Sequence, residues 1–305
     1  MDIRIDYARH ISQRNTVLRE ALPMRQAEVA KYREQSVTGL RVNRPSDDST
    51  AFAMARRMEG LNRRYEQYMD SITQARGWAD HLQEDLDNLS DLFINAYEDA
   101  VQGMNDTLGQ AERDEIASSV DTLLLEVVDV LNSQYNEDYL FAGTNTRTEP
   151  FTLDTVPTPP VVTYNGNNGA LNRAIGPQTT VAVNISGDRV LDTGNGYTIT
   201  ESLTSLSDAL RAGDTTQIEA ALTQVQGSQD HLLSLSGEAG TIGNRLQVHE
   251  DQLSQAMITV ERQRSRAEDA DLAETLTKLQ EAETGLQAAL QIYASVQEIT
   301  LLDFI

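Results

Sequence analysis

From Ala51 to Ala100 apolar residues recur at alternating intervals of three and four: Ala51, Met54, Met58, Leu61, Tyr65, Tyr68, Ile72, Ala75, Ala79, Leu82, Leu86, Leu89, Phe93, Ala96 and Ala100. This is a heptad seam without a polar interruption, and at about 1.5 Å of rise per residue it predicts a helical rod of roughly 75 Å. Asp80, Glu84, Asp85, Asp87 and Asp91 fall on the other face, which reads as the solvent side. Gly103 to Gly109 breaks the pattern. A second apolar face, Ile116, Val120, Leu123, Val127, Val130 and Leu131, then predicts a helix folding back antiparallel on the first.

Between Phe151 and Thr200 the period drops to two. This stretch is rich in Val, Thr and Ile and is punctuated by Asn-Gly, Gly-Pro and Gly-Asn-Gly, so it reads as short strands joined by tight turns, with "YNGNNGA" as a hairpin turn. Helical spacing returns at Leu203, Leu206 and Leu210, and again at Ile218, Leu222, Val225, His231, Leu232 and Leu235. A three-four seam follows through Leu246, His249, Leu253, Ala256 and Val260. After a one-residue shift it continues through Leu272, Leu276, Leu279, Leu286, Leu290 and Tyr293. The expected fold class is mainly α with a β-rich insert, the N- and C-terminal long helices forming a coiled-coil bundle around a small central β domain. Its parts are an N-terminal helix at 1–45, marginal alone; a long rod and return helix at 46–148; a β-rich outer insert at 149–201; and C-terminal helices at 202–305.

The first forty residues carry a weaker stripe, Leu18, Leu22, Val29 and Leu40, which Pro23 interrupts unless it occupies a first turn. A helix of that kind orders when neighbours supply a surface. At its end stands "GLRVNRPSDD". Gly39 suits a left-handed cap, the residue before Pro45 is pushed out of helix, and Ser46 is a good N-cap for the rod, which places Asp47 and Asp48 in its first turn. Exposed Arg41, Asn43 and Arg44 have no role in such a loop and are candidate partner contacts.

Composition narrows the function. Only 5% of the 305 residues are aromatic and 23% are charged, which favours long helices with Ala and Leu seams over one thick core. A net charge of −23 argues against nucleic acid and against an anionic membrane surface. There is no cysteine for a disulfide or thiolate site, the N-terminus lacks an apolar signal region, and no stretch reaches the about eighteen apolar residues of a spanning helix. His10, His81, His231 and His249 are scattered, no metal-ligand spacing occurs, and "DLDNLSD" lacks the order of a calcium loop. The expectation is therefore no enzyme, no metal and no cofactor.

"GLRVNRPSDDSTAFAMARRMEGL" resembles the N-terminal signature of the flagellin-like family, shared by bacterial flagellins and hook-associated protein 3, the hook-filament junction protein. The resemblance extends over nearly the whole sequence, through "YLFAGTNTRTEPF" at the helix-to-strand transition to the ending "SVQEITLLDFI"; the Tyr-x-Phe-Ala-Gly with a following Pro-Phe is similar to the junction branch. It implies a secreted, extracellular structural subunit that joins the flagellar hook zone to the filament. Such a subunit leaves by type III export without a cleaved signal, and its partners are hook-associated protein 1, flagellin, further copies of itself in a ring and an export chaperone. Assembly contacts are then expected at Arg41, Asn43, Arg44, Asp47, Asp48, Leu272, Leu276, Leu279, Leu286, Leu290, Tyr293, Leu301, Leu302 and Phe304. Two other readings stand beside it: a filament-forming flagellin, and a hydrolase or ligand-binding module built on the β insert.

Overall fold

The computed structural model describes residues 3–156 and 159–302, with side chains for 20–156 and 159–295. Seven helices and six strands follow one another among the described residues: α1 (Ile3–Thr38), α2 (Ser49–Gly103), α3 (Gln110–Leu131), β1 (Gln134–Tyr135), β2 (Asp138–Tyr139), β3 (Phe151–Asp154), β4 (Val161–Tyr164), β5 (Asn172–Gly176), β6 (Thr179–Ala182), α4 (Gly187–Leu191), α5 (Ile199–Ala212), α6 (Thr215–Glu268) and α7 (Leu272–Leu302). They fall into two compact units, Met1–Arg64 with Ala256–Ile305, and Tyr65–Gln255. The fold class is the one expected from sequence: long terminal helices packed on each other, with short antiparallel strand pairs inserted between helices.

Within Tyr65–Gln255 the seam becomes a core. Ile72, Ala75, Ala79, Leu82, Leu86, Leu89, Phe93, Ala96 and Ala100 are all at most 1% exposed, so every seam position of this stretch is spent on burial. Burial contributes about 1.5–3 kcal/mol for each large side chain of this row. Val120, Val127 and Leu131 of α3, Leu203, Leu206 and Leu210 of α5, and Ile218, Val225, Leu232 and Leu246 of α6 join the same core. The return helix shares that core with α2, but its nearest backbone neighbour is α5, a partner that a hairpin of α2 and α3 alone does not provide. Helix α6 is continuous where the sequence suggested two helices, because the glycines at 227, 237, 240 and 243 all sit in helical turns.

One acidic position leaves the solvent face assigned to it. Asp85 is half-buried and accepts a hydrogen bond from Ser133 Oγ; burial above all pushes its carboxyl up, against the pull of Ser133. Because the folded protein holds this proton more tightly than the unfolded one, ionisation above the ordinary aspartate range works against folding. Asp85→Asn keeps the acceptor for Ser133. It is expected to raise the urea midpoint at neutral pH and to match the wild type once the pH lies below the ordinary aspartate value; urea titrations at both pH values check this.

Three two-stranded antiparallel pairs lie between α3 and α4: β1 with β2 ahead of the expected insert, then β3 with β4 in the register Phe151↔Tyr164 to Asp154↔Val161, and β5 with β6, with an irregularity between Ala174 and Gly176. Two-stranded pairs are marginal in water. The β3–β4 and β5–β6 pairs are anchored because Phe151, Ile175, Val181, Val183 and Ile185 are buried in the helical core. Two expectations fail. "YNGNNGA" is not a hairpin turn but the passage from β4 to β5, strands that pair elsewhere. The segment "GDRVL", inside the stretch read as short strands and tight turns, is helix α4. The β1–β2 hairpin was not foreseen; its turn carries Asn136 and Glu137 at φ 52° and 69°, the left-handed pair of a type I′ turn.

In the unit Met1–Arg64 with Ala256–Ile305, α1 packs along α7. Helix α1 runs unbroken through Pro23, contrary to the expected interruption, and Pro23 is exposed there. Losing one backbone hydrogen bond at an exposed turn is tolerable when the other face is buried against a second helix. The same heptad seam is open in this unit: Met54 is 45% exposed, and Met58 and Leu61 are half-buried.

Candidate functional site

The joint after α1 is built from residues far apart in sequence. Gly39, at φ +72°, turns the backbone, and its N–H donates to the Gln35 carbonyl at 2.9 Å. Leu40 then bridges antiparallel to Asp269. The Glu268 carbonyl accepts the N–H groups of Arg41 at 2.6 Å and Val42 at 3.2 Å, and the Ala270 N–H donates to the Gly39 carbonyl at 2.8 Å. Side chains reinforce this backbone clasp. Arg41 Nη2 donates to the Ala267 carbonyl at 2.8 Å, and buried Gln35 donates through Nε2 to the Arg41 carbonyl at 2.7 Å.

The motif residues fold the turn itself. Asp47 Oδ2 accepts the N–H groups of Asn43 and Arg44 at 3.0 and 2.9 Å. Asn43, half-buried and not exposed as expected, donates through Nδ2 to the Leu40 carbonyl at 3.1 Å. Arg44 pairs with Glu34 at 2.9 Å. The N-cap of α2 is Asp48, not Ser46: its Oδ1 accepts the Ala51 N–H at 2.9 Å and its carbonyl takes Phe52 N–H, while Asp47 stays in the turn before the helix. The Ala51 N–H above all, with Arg41 beside it, holds the Asp48 carboxyl below its ordinary value. Ser46 loses the cap because Arg44 to Asp47 are used up by the turn that Asp47 closes. Arg41, Asn43 and Arg44 thus have intramolecular roles that the loop reading lacked.

Replacing Asp47 by alanine removes the acceptor of two N–H groups, a loss of about 1–2 kcal/mol in local opening. Amide exchange at Asn43 and Arg44 is expected to accelerate about tenfold, by the usual conversion of about 1.4 kcal/mol per decade, with Asp47→Asn much closer to wild type; exchange measured by mass spectrometry or NMR checks this.

On α7 the sequence-predicted seam divides. Thr275 and Ala282 are buried, and Leu279, Leu286 and Tyr293 share their helical face and are half-buried. Leu272, Leu276 and Leu290 lie outside it, at 51%, 56% and 44% exposure. Arg33 of α1 reaches Glu283 of α7 at 2.9 Å. The side chains of Leu301 and Leu302, and Phe304, lie outside the described residues. Sequence reading missed the 267–271 half of the joint. One signal was there: Asp271 with Glu274 three positions on is an N-cap pattern, and Asp271 Oδ1 indeed accepts the N–H groups of Ala273 and Glu274 at 2.9 and 3.2 Å.

The "YLFAGTNTRTEPF" stretch is the hub where insert meets helices. Phe141 and Phe151 are fully buried. Gly143 sits at φ +71°, and the Tyr164 hydroxyl lies 3.0 Å from the Phe141 carbonyl and 2.9 Å from that of Asn167, with its one proton to donate between them. A cleft of about 350 Å³ in the same unit is lined in part by Asn184, Arg189, Glu238 and Arg245; Arg189 is engaged with Glu238 in two bonds, 2.7 and 3.1 Å. Among the described residues no three His, Cys, Asp or Glu side chains are grouped to hold a metal ion, and no helix is long and apolar enough to cross a membrane. His81 pairs with Glu84 and stacks at 4.8 Å on Tyr135, while His231 hydrogen-bonds the Arg189 carbonyl.

Family models match both helical ends of the protein: the bacterial flagellin N-terminal helical region over residues 12–146 and the bacterial flagellin C-terminal helical region over residues 215–305. The chain belongs to the flagellin family. The residues between the two matched regions hold β3 to β6, α4 and α5. Over 299 residues this flagellin-family protein is 25% identical to flagellar hook-associated protein 3 of Escherichia coli K12, covering 90% of itself and 92% of that relative. Among solved structures, one from Vibrio parahaemolyticus described as a flagellar hook-associated protein superposes with a TM-score of 0.67 at 19% identity, over 73% of this protein and all of that one. The flagellar junction protein of Legionella pneumophila gives 0.60 at 14% identity, over 71% of this protein and all of that one. Both show the same fold.

Proposed function

We propose that this flagellin-family protein is a structural subunit of the flagellum that joins the hook zone to the flagellin filament. The observation that carries this reading is the pairing of the two helical ends: α1 lies on α7, the Gly39–Val42 segment is clasped by Glu268–Ala270, and Leu272, Leu276 and Leu290 are left exposed beside the paired face. Apolar residues clustered on an exposed helix face are what a helical partner covers. The partners are hook-associated protein 1 on one side, flagellin on the other and further copies of the subunit around a ring. Before assembly an export chaperone covers the terminal helices, and the subunit reaches the cell exterior by type III export. Similarity to hook-associated protein 3 over nine-tenths of the sequence supports this role over that of a filament subunit.

The test is deletion of the gene, with cells and culture fluid imaged by electron microscopy. Hooks without filaments, and flagellin shed into the medium, are expected. Normal filaments would overturn the junction role, and polymerisation of the purified protein from seeds would favour the filament-forming reading.

A further inference from the structure

The flagellin-family protein holds three Asn-Gly pairs, at 165–166, 168–169 and 195–196, and the structure treats them differently. Gly169 N–H donates to Asn167 Oδ1 at 2.9 Å, so the nitrogen following Asn168 is engaged. Asn165 is pinned twice, its Nδ2 donating to Thr152 Oγ1 at 3.1 Å and its N–H to the Pro150 carbonyl at 2.7 Å. The third pair lies at the tip of the loop between α4 and α5, with both Asn195 and Gly196 exposed. That loop is tied below the tip: Asp192 bridges Thr198, Thr193 Oγ1 donates to the Tyr197 carbonyl at 2.6 Å, and Gly194 N–H donates to Asp192 Oδ1 at 2.8 Å. At the tip itself the Asn195 carboxamide and the Gly196 N–H have no hydrogen-bond partner among the described residues, and Gly194 and Gly196 both take left-handed φ, 74° and 86°.

We infer that Asn195 is a site of spontaneous deamidation in the folded protein. The Gly196 nitrogen attacks Cγ of Asn195; the new bond from that nitrogen to Cγ closes a succinimide, the bond between Cγ and Nδ2 breaks, and ammonia leaves with the proton lost from the Gly196 nitrogen. Water then opens the ring at either carbonyl, leaving aspartate or isoaspartate. The reaction needs no other reagent, and it needs a free following nitrogen, an unpinned carboxamide and a residue without Cβ. Only the third pair meets all of these. Each event adds a negative charge beside Tyr197, whose hydroxyl lies against Gly227 of α6, so an aged molecule has an altered contact between this loop and the helix. The sequence presents all three pairs as equals; the fold ranks them.

The experiment ages the full-length native protein in mildly alkaline buffer at body temperature and follows each Asn-Gly peptide by mass spectrometry, scoring the amide-to-acid mass gain and isoaspartate. A parallel sample ages in denaturant. The expected result is conversion at Asn195 several-fold faster than at Asn165 or Asn168 in the native protein, with the three rates drawn together in denaturant. Equal native rates, or a native ranking that survives unfolding, overturns the assignment. Asn195→Gln is expected to remove the acidic species that accumulates on ion exchange; its persistence would place the chemistry elsewhere.

Discussion

Gly143→Ala unseats the strand-bearing insert from the helices. At φ +71° a Cβ would stand 1.9 Å from the Asn167 carbonyl oxygen and 2.5 Å from Asn167 Oδ1. Asn167 cannot simply swing aside, because its N–H donates to the Ala142 carbonyl and its Oδ1 holds Thr144 and Gly169. The left-handed backbone alone costs a non-glycine residue about 1–2 kcal/mol, and the clash with the Asn167 backbone raises the total to about 3 kcal/mol or more. A matched control exists within the same molecule: Gly39 has φ +72° and no atom within 4 Å of its Cβ position, so Gly39→Ala incurs the conformational cost only. Denaturant titrations of both variants are expected to show Gly143→Ala destabilised at least twice as much, with early proteolytic cutting between β4 and β5. Equal losses would show that the contact with Asn167 contributes nothing.

Ala282→Asp is expected to separate α7 from α1. Ala282 is 6% exposed on the face that α7 turns to α1, and an unpaired carboxylate buried there costs several kcal/mol, with Glu281 and Glu283 already beside it in sequence. Helical circular dichroism of the isolated protein should fall by an amount that reflects both helices, while the Tyr65–Gln255 unit keeps its cooperative unfolding. Leu276→Asp tests the neighbouring stripe instead: at 56% exposure it should leave the isolated protein intact. On the proposed reading, cells with either variant bear hooks without filaments, the first because the paired ends are lost and the second because a partner surface is. The double change Leu286→Asp with Leu290→Asp combines the two effects. Normal filaments with Leu276→Asp would sink the assignment of the exposed stripe.

What the sequence made legible follows from how each signal is encoded. The α2 seam was readable residue by residue because burial repeats with the helical period, and Ile72 to Ala100 are as dry as that pattern demands. Period alone does not say where covering ends, so Met54, Met58 and Leu61 looked no different from Leu82 or Phe93. The joint was half legible. Gly39 and the aspartates announce a turn, yet the choice of Asp48 over Ser46 as cap depends on Asp47 folding back on Asn43 and Arg44. Its other half is held through the carbonyls of Ala267 and Glu268 and the N–H of Ala270, which every residue but proline can supply, so no side-chain motif marks it. Strand pairing was misassigned around "YNGNNGA" for a related reason: an Asn-Gly turn states that the backbone bends, not which strands it joins.

The clasp also has a meaning in time. Arg41 and Val42 bond to Glu268, so the clasp at the end of α1 waits on residues that a ribosome, or any channel threaded from the N-terminus, delivers long after α1 itself. Its packing partner α7 comes later still. Closing so long a loop is slow and entropically uphill. A polypeptide passed N-terminus first therefore travels with α1 unlatched until Glu268 to Ala270 have followed it, and pairs α1 with α7 only after that.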